Sequence, residues 1–447
     1  MSKILRLFNV FFLLCLANIL LLFGQVLDAT PLWVNIIAVA ILVLWFLFFN
    51  VNPRNDRQPS KRLKALMGGY ELFVTVGWAS LIEVTLYIFL LFNRPPNGML
   101  GLIVNLLVVL PVFFLVAANA FFRVVFTSQQ LRIVWRVLLI LFWWFPLLNL
   151  YIFWRVCHIV KSEYYTETSK LALDNLRAEN EVCKTKYPIV LVHGIFFRDW
   201  QLVNYWGRIP GELKRNGADI HYGGQQSSAA VSQSAEELKA SILKILEETG
   251  AKKVNIIAHS KGGLDSRYAI SRLGLAPQVA SLTTINTPHR GCIFAQSLLK
   301  SLPKGMVQFI TRKYNSVFHT LGDPDPDFLA GVVDLTAAKC EQFNKDTPDM
   351  PGVLYQSVMS TMRRASSASF PLNLTWLLVK KYDKELNDGL VGLSSAAWGS
   401  YLGTLTVPHR RGLSHGDVID LMRENIPGFD VREFYVGLAK DLKAKGL

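Results

Sequence analysis

Apolar residues run almost unbroken through the first 154 positions, then give way to short apolar runs alternating with amphipathic stretches. Five long runs stand out: Leu7–Leu27, Leu32–Phe49, Leu72–Phe92, Met99–Val125 and Val137–Trp154. Each is near the ~20 residues that a helix needs to cross a hydrocarbon core. The pattern therefore predicts an all-helical transmembrane region over 1–154. The first run follows Lys3 and Arg6 but has no A-x-A-like cleavage site after it, so it reads as an uncleaved anchor. Residues 155–186 are polar, charged and without Pro or Gly, and predict a helical stalk or linker.

From 187 the period changes. Pro188–Val192, Lys253–Ala258 and Ser281–Ile285 read as buried strands, and amphipathic stretches near 203–215, 234–248 and 262–273 read as helices. Ser234 with Glu237 three positions on has the form of a capping box, and Gly250 follows as a stop. Strands alternating with helices predict an α/β fold, a mostly parallel sheet with helices on both faces, over 187–447.

Composition sharpens this picture. Half the chain is hydrophobic, only 18% is charged, and the net charge is +14. The densest basic cluster near any apolar run is Arg54, Arg57, Lys61, Arg62 and Lys64, which marks a cytoplasmic loop, whereas 24–31 lacks Lys and Arg. If the fifth run is a true span, alternation leaves the α/β half, 187–447, outside the cytoplasm. Pro146 and Asn149 interrupt that run, while Trp135 and Trp154 are spaced, at roughly 28 Å of helix, like two interfacial belts. Glu83 inside the third run is expected to face other helices. No basic, aromatic-interleaved surface suggests nucleic acid. Five scattered cysteines form neither a zinc pattern nor a disulfide framework.

The chemistry concentrates in Ala258-His259-Ser260-Lys261-Gly262-Gly263, a serine between a strand and a helix with small residues two positions to either side. A nucleophile elbow needs that spacing because its turn is sharp. His193-Gly194-Ile195 after the first strand supplies an oxyanion loop, with the backbone N–H groups of Ile195 and Lys261 as donors. His193 itself reads as a structural residue of that loop. Downstream, Asp388 in Asn387–Val391 and His415 follow the order Ser, acid, His. Asp383 competes for the acid, and His409 or His289 for the base.

As a set these segments resemble the bacterial triacylglycerol lipases and esterases of the α/β-hydrolase superfamily. Leu191–Gly194, Ala258–Gly263, Thr287–Gly291, Asp334–Thr336 with Phe343-Asn344, Asn387–Val391 and His415–Asp417 match in order. The resemblance implies a triad of Ser260, Asp388 and His415 that cleaves carboxylic esters, with lipid esters as substrate and no organic cofactor. It also raises a structural calcium at Asp417, although no matching acid lies upstream of Asp388. Residues 292–331 read either as a lid over the acyl site or as packed surface helices, and Phe196 and Phe197 as candidate acyl-pocket residues. The rival functions are an acyltransferase on the same triad and a membrane protein with a non-catalytic hydrolase-fold module. Chain length preference, head group and oligomeric state are not encoded in any of these signals.

Overall fold

In a computed structural model, residues 3–22, 30–54, 60–93, 98–142, 146–195, 205–292, 295, 303–320, 326–368, 372–382 and 384–447 are described. They divide into two compact units, Met1–Ala172 and Leu173–Leu447.

The first unit is helical. Its elements are α1 (Lys3–Ala17), α2 (Ile19–Leu22), α3 (Leu32–Val51), α4 (Lys61–Phe92), α5 (Gly98–Thr127), α6 (Ile133–Leu141) and most of α7 (Pro146–Arg177). Three of these, α3, α4 and α5, are long and apolar enough to cross a membrane. Their outward faces carry large apolar side chains such as Ile36, Leu44, Phe89, Leu107 and Phe114. That arrangement suits a lipid solvent, in which the backbone must satisfy its own hydrogen bonds. The Asn18 N–H bonds to Leu14 O and its carbonyl accepts from Leu22 N, which carries the helical bonding from α1 into α2. A buried polar network lies inside the bundle: Glu83 accepts from Asn18 Nδ2 at 2.8 Å, and Asn105 Nδ2 donates to Asn18 Oδ1 and to Tyr87 Oη, both at 2.9 Å.

The expected fifth span takes a different form. Val137–Trp154 lies on two helices, α6 of nine residues and the start of α7, and 143–145 fall outside the described residues. Trp135 and Tyr151 rings lie 6.3 Å apart, Tyr151 and Trp154 6.2 Å apart, and the Arg155 guanidinium is 5.9 Å from the Trp135 ring. The two tryptophans thus sit at one end of a helical hairpin rather than at the two ends of a span. Pro146 opens α7, a position where its missing N–H costs nothing, and so permits the turn.

The second unit holds a six-stranded parallel sheet in the order β2-β1-β3-β4-β5-β6. The strands are β1 (Ile189–Val192), β2 (Ile220–Tyr222), β3 (Val254–His259), β4 (Val279–Ile285), β5 (Leu354–Ser360) and β6 (Ser400–Leu405). Strands β1, β3 and β4 are buried along their whole length, which explains why β1 reads as a continuous apolar run and why β3 and β4 show no apolar-polar alternation. Helices α8 (Ile209–Arg215), α9 (Val231–Thr249) and α10 (Gly262–Ser271) lie between the first strands. One apolar cluster joins Ile189 and Leu191 to Leu213, Ile220 and Tyr435; the other joins Val190 and Val192 to Leu238, Ile242 and Ile270. The odd and even residues of one strand therefore face two layers, as a sheet covered on both sides demands.

The capping box expected at Ser234 does not form. Helix α9 begins three residues earlier, at Val231, whose N–H bonds to Asp334 Oδ2 at 2.8 Å. Ser234 is buried within the helix and donates its hydroxyl to Gln226 O, and Glu237 bonds to the Gln226 backbone and side chain. A partner from a distant loop supplies the cap that the local pattern assigned to Ser234.

Candidate active site

The loops after β1, β3 and β4 converge at the carboxyl ends of the strands, where a parallel α/β sheet places its ligands. Ser260 occupies the turn from β3 into α10 with φ of 54°, a left-handed conformation that costs a residue with a Cβ of order 1–2 kcal/mol. The turn is held by Ser260 N–H to Ile285 O at 3.0 Å and by Gly263 N–H to Ser260 O at 3.1 Å. Its glycines are sterically required: a Cβ on Gly262 would lie 2.4 Å from His193 O, and one on Gly263 would lie 2.2 Å from Thr287 Oγ1. Gly194 is equally tight, since a Cβ there would come within 2.7 Å of Ser260 Cβ. The loop at Gly194 thus presses directly against the elbow. Ile195 and Ser260 line the same narrow pocket, with Pro288, Cys292, Val332 and Leu335 among its apolar walls. Phe196 and Phe197 lie outside the described residues.

The structure brings Asp388 and His415 together. His415 Nδ1 is 2.6 Å from Asp388 Oδ2, and His415 N–H bonds to Asp388 O at 2.8 Å. Asp388 is fully buried, and its Oδ1 accepts from the N–H groups of Leu390 and Val391 at 2.9 and 2.8 Å. One carboxylate oxygen is thereby committed to the turn and the other to the histidine. His415 is anchored to the elbow through His259, whose ring nitrogen Nε2 donates to His415 O at 3.1 Å and whose ring centroid is 4.4 Å from that of His415.

The competing residues lie elsewhere. His289 is buried against Thr284 and stacked on Trp398. Burial first, then the charges of Arg267 and Arg290, hold its pKa well below the ordinary histidine value. His409 is exposed on a loop, and Asp383 is outside the described residues.

Two features of the site escaped the sequence reading. One is a chain of buried polar groups: Gly194 N–H donates to Tyr205 Oη at 3.0 Å, and Tyr205 Oη is 2.6 Å from His259 Nδ1. Because Nε2 must donate to a carbonyl, Nδ1 of neutral His259 is the acceptor of the tyrosine proton. Burial, followed by the nearby His415, keeps the His259 pKa well below its usual value, which preserves this tautomer. The other is the Lys261 side chain. It is buried and bonds to Asp265 Oδ1 at 2.8 Å and Ser234 Oγ at 2.9 Å. Burial pushes the Asp265 pKa up to about 7, against the opposing pull of Lys261. A Lys and Asp four positions apart read as a surface pair on a helix, and only the sheet packed against α10 makes this one internal.

Lys261→Met leaves Asp265 buried without its partner, and the expected loss of stability is about 3–5 kcal/mol. Adding Asp265→Leu recovers most of it. With its folded pKa raised above the unfolded one, Asp265 opposes folding increasingly as pH rises toward the folded value. Thermal melts should therefore show a smaller deficit for Lys261→Met near pH ~5 than near pH ~8.

The calcium raised at Asp417 finds no fitting donor set. Asp417 Oδ1 is 3.2 Å from Arg411, which also binds Glu424, and Oδ2 accepts from Ser414 N–H at 2.8 Å. A guanidinium thus fills the place of a cation, and no group of three or more His, Cys, Asp and Glu suited to a metal occurs among the described residues.

The family model of the α/β-hydrolase fold matches residues 187–389. A triacylglycerol lipase of Burkholderia plantarii is 39% identical over 184 residues, covering 38% of this chain and 51% of the relative. A triacylglycerol lipase of Vibrio cholerae is 30% identical over 267 residues, covering 55% of this chain and 83% of the relative. The solved mature lipase BlEst2 of Bacillus licheniformis aligns at a TM-score of 0.41 and 20% identity, over 53% of this chain and 88% of that one. The chain spans about half the length of the first of these relatives and most of the second. With its parallel sheet, its elbow serine and its match to most of the Vibrio cholerae lipase, the chain belongs to the triacylglycerol lipase family of the α/β-hydrolase fold.

Proposed function

We propose that this protein is a membrane-anchored serine hydrolase that cleaves carboxylic esters, lipid acyl esters in particular. The observation that carries the reading is the 2.6 Å bond between His415 and the fully buried Asp388, tied through His259 to a serine in a left-handed elbow. Ser260 Oγ attacks the ester carbonyl while His415 Nε2 takes its proton, and Asp388 holds Nδ1 protonated and stabilises the imidazolium. The backbone N–H groups of Ile195 and Lys261 receive the developing oxyanion. His415 then returns the proton to the leaving alcohol. Water, activated by the same histidine, releases the acid from Ser260. The names of the relatives and the apolar pocket walls beside Ser260 support an acyl chain as the bound group.

The test is hydrolysis of a series of esters of increasing chain length by the full-length protein in detergent, with free acid measured against transfer to an added alcohol. Acid as the main product supports a hydrolase; acyl transfer dominating at low alcohol would reassign the enzyme as a transferase. Val332→Phe narrows the pocket and is expected to lower kcat/KM on long-chain esters about tenfold or more relative to acetyl esters. Labelling of Ser260 by a small fluorophosphonate should persist in that variant. Equal loss on every chain length would place the acyl group elsewhere.

A further inference from the structure

Four contacts fix how the α6–α7 hairpin lies along α4. Arg62, at the start of α4, is 2.5 Å from Glu163 of α7, and Phe73 packs edge-on against Phe153 at 5.4 Å. A Cβ on Gly77 would meet the same Phe153 ring at 3.2 Å. The two helices are therefore antiparallel, and the opening of α7 at Pro146 comes level with about Ser80. Helix α4 continues to Phe92, roughly 18 Å further on. The hairpin turns back well short of the far end of the bundle. Helix α6 alone, at nine residues, spans roughly 14 Å of a core that is ~30 Å thick.

The fourth contact is a carboxylate that closes the base of the hairpin. Glu163, almost fully buried, accepts from Ser128 Oγ at 2.6 Å and from the N–H groups of Gln129 and Gln130 at 3.0 and 3.2 Å. Those residues immediately precede α6. The chain enters the hairpin and leaves it at the same level, beside Arg62 and beside Arg54, whose guanidinium stacks 4.9 Å from the Tyr164 ring. This is also the end at which Arg123 caps the carbonyls of Asn50 and Val51 at the end of α3, both at 2.9 Å. Between base and tip the outward side chains are apolar, among them Ile133, Ile140, Leu141 and Leu150, with Trp154 about midway along α7 between Glu163 and Pro146 and Tyr151 one turn nearer the tip.

We propose that α6 and α7 form a re-entrant hairpin seated in the cytoplasmic lipid leaflet, so that the chain continues into the hydrolase unit on the cytoplasmic side. The occupant of the apolar face is the acyl region of that one leaflet. Above the level of Trp154 and Arg155 the hairpin rises only eight residues of α7 to Pro146, roughly 12 Å, and this depth, with the rings and Arg132, Arg136 and Arg155 near that level, matches a single anionic leaflet. Arg54, Lys61, Arg62 and Lys64 of the basic cluster lie at the same end and give the side. The inference rests on reading α3, α4 and α5 as membrane spans, and it replaces the outside location that a full fifth span would require. The esters within reach of Ser260 are then those of the cytoplasmic leaflet.

The test is single-cysteine labelling of the full chain in a Cys15→Ser, Cys157→Ser background, with the three buried native cysteines retained as the blank. Gln129→Cys, Phe142→Cys and Lys244→Cys are treated with a membrane-impermeant maleimide in intact cells and in inverted vesicles. The expected result is that Gln129→Cys and Lys244→Cys label only in inverted vesicles, while Phe142→Cys labels in neither until detergent is added. Labelling of Lys244→Cys only in intact cells would restore the fifth span and overturn the proposal. Labelling of Phe142→Cys from the cytoplasmic side would remove the hairpin from the leaflet. Both cysteines labelling only in intact cells would invert the side. Release of the protein from membranes by alkaline carbonate would instead show that the underlying spans are misread, a failure distinct from all of these.

Discussion

Ser260→Ala is expected to abolish fluorophosphonate labelling and to lower kcat for ester hydrolysis by about 10⁶-fold, leaving only the residue supplied by binding and the oxyanion donors. The fold should survive. Both serine and alanine carry a Cβ, so the φ of 54° strains them alike, and the bonds that hold the elbow are all backbone bonds. The melting temperature of Ser260→Ala should stay close to that of the parent. Ser260→Gly separates strain from chemistry: it is equally inactive, yet removing the Cβ relieves about 1 kcal/mol of left-handed strain, part of which returns as chain entropy in the unfolded state. The expected pattern is an inactive protein no less stable than the parent. Labelling that persists in Ser260→Ala would place the nucleophile elsewhere, and a large drop in melting temperature would mean that the hydroxyl has a structural duty.

Why the elbow is legible in the sequence and its surroundings are not is a matter of range. The serine follows a strand whose every residue is buried, so the apolar Val254, Ile256, Ile257 and Ala258 announce it, and the glycines at 262 and 263 are dictated by backbone and Thr287 at contact distance. Asp388 and His415 are 27 residues apart on separate loops, and nothing local links them; their pairing was visible only through the order of motifs shared with the lipases. The buried pair of Lys261 and Asp265 was not read from the sequence, because the elements that cover it are built from other parts of the chain. Ser234 shows the reverse error: a good local cap lost to Asp334, a hundred residues away. The membrane half poses a different difficulty. Hydropathy reports that residues 137–154 prefer lipid, and it carries no record of where the chain turns. The contacts of Glu163 and Phe153 with α4 supply that record.

Asp388→Asn is the most discriminating change after the serine, because the surrounding hydrogen bonds dictate which way the new amide points. Asp388 Oδ1 accepts from two backbone N–H groups, those of Leu390 and Val391. An asparagine must keep its carbonyl oxygen there, since turning its NH₂ toward two donors would leave three buried donors facing one another. Its NH₂ is then the group presented to His415 Nδ1, where Asp388 Oδ2 stands at 2.6 Å. A donor at that point makes Nδ1 an acceptor and moves the ring proton to Nε2, the nitrogen that must receive the proton of Ser260. The base is present, well placed and in the wrong tautomer. The expected loss in kcat is about 10⁴-fold with KM little changed, since no substrate contact is altered. The turn itself keeps both of its bonds, so stability should fall by no more than about 1–3 kcal/mol, from the lost charge-assisted bond to His415. Fluorophosphonate labelling should slow in parallel with hydrolysis instead of vanishing, because Ser260 is intact. Activity within about tenfold of the parent would show that the His415 tautomer is set by something other than Asp388, and would pass the role of acid to another carboxylate.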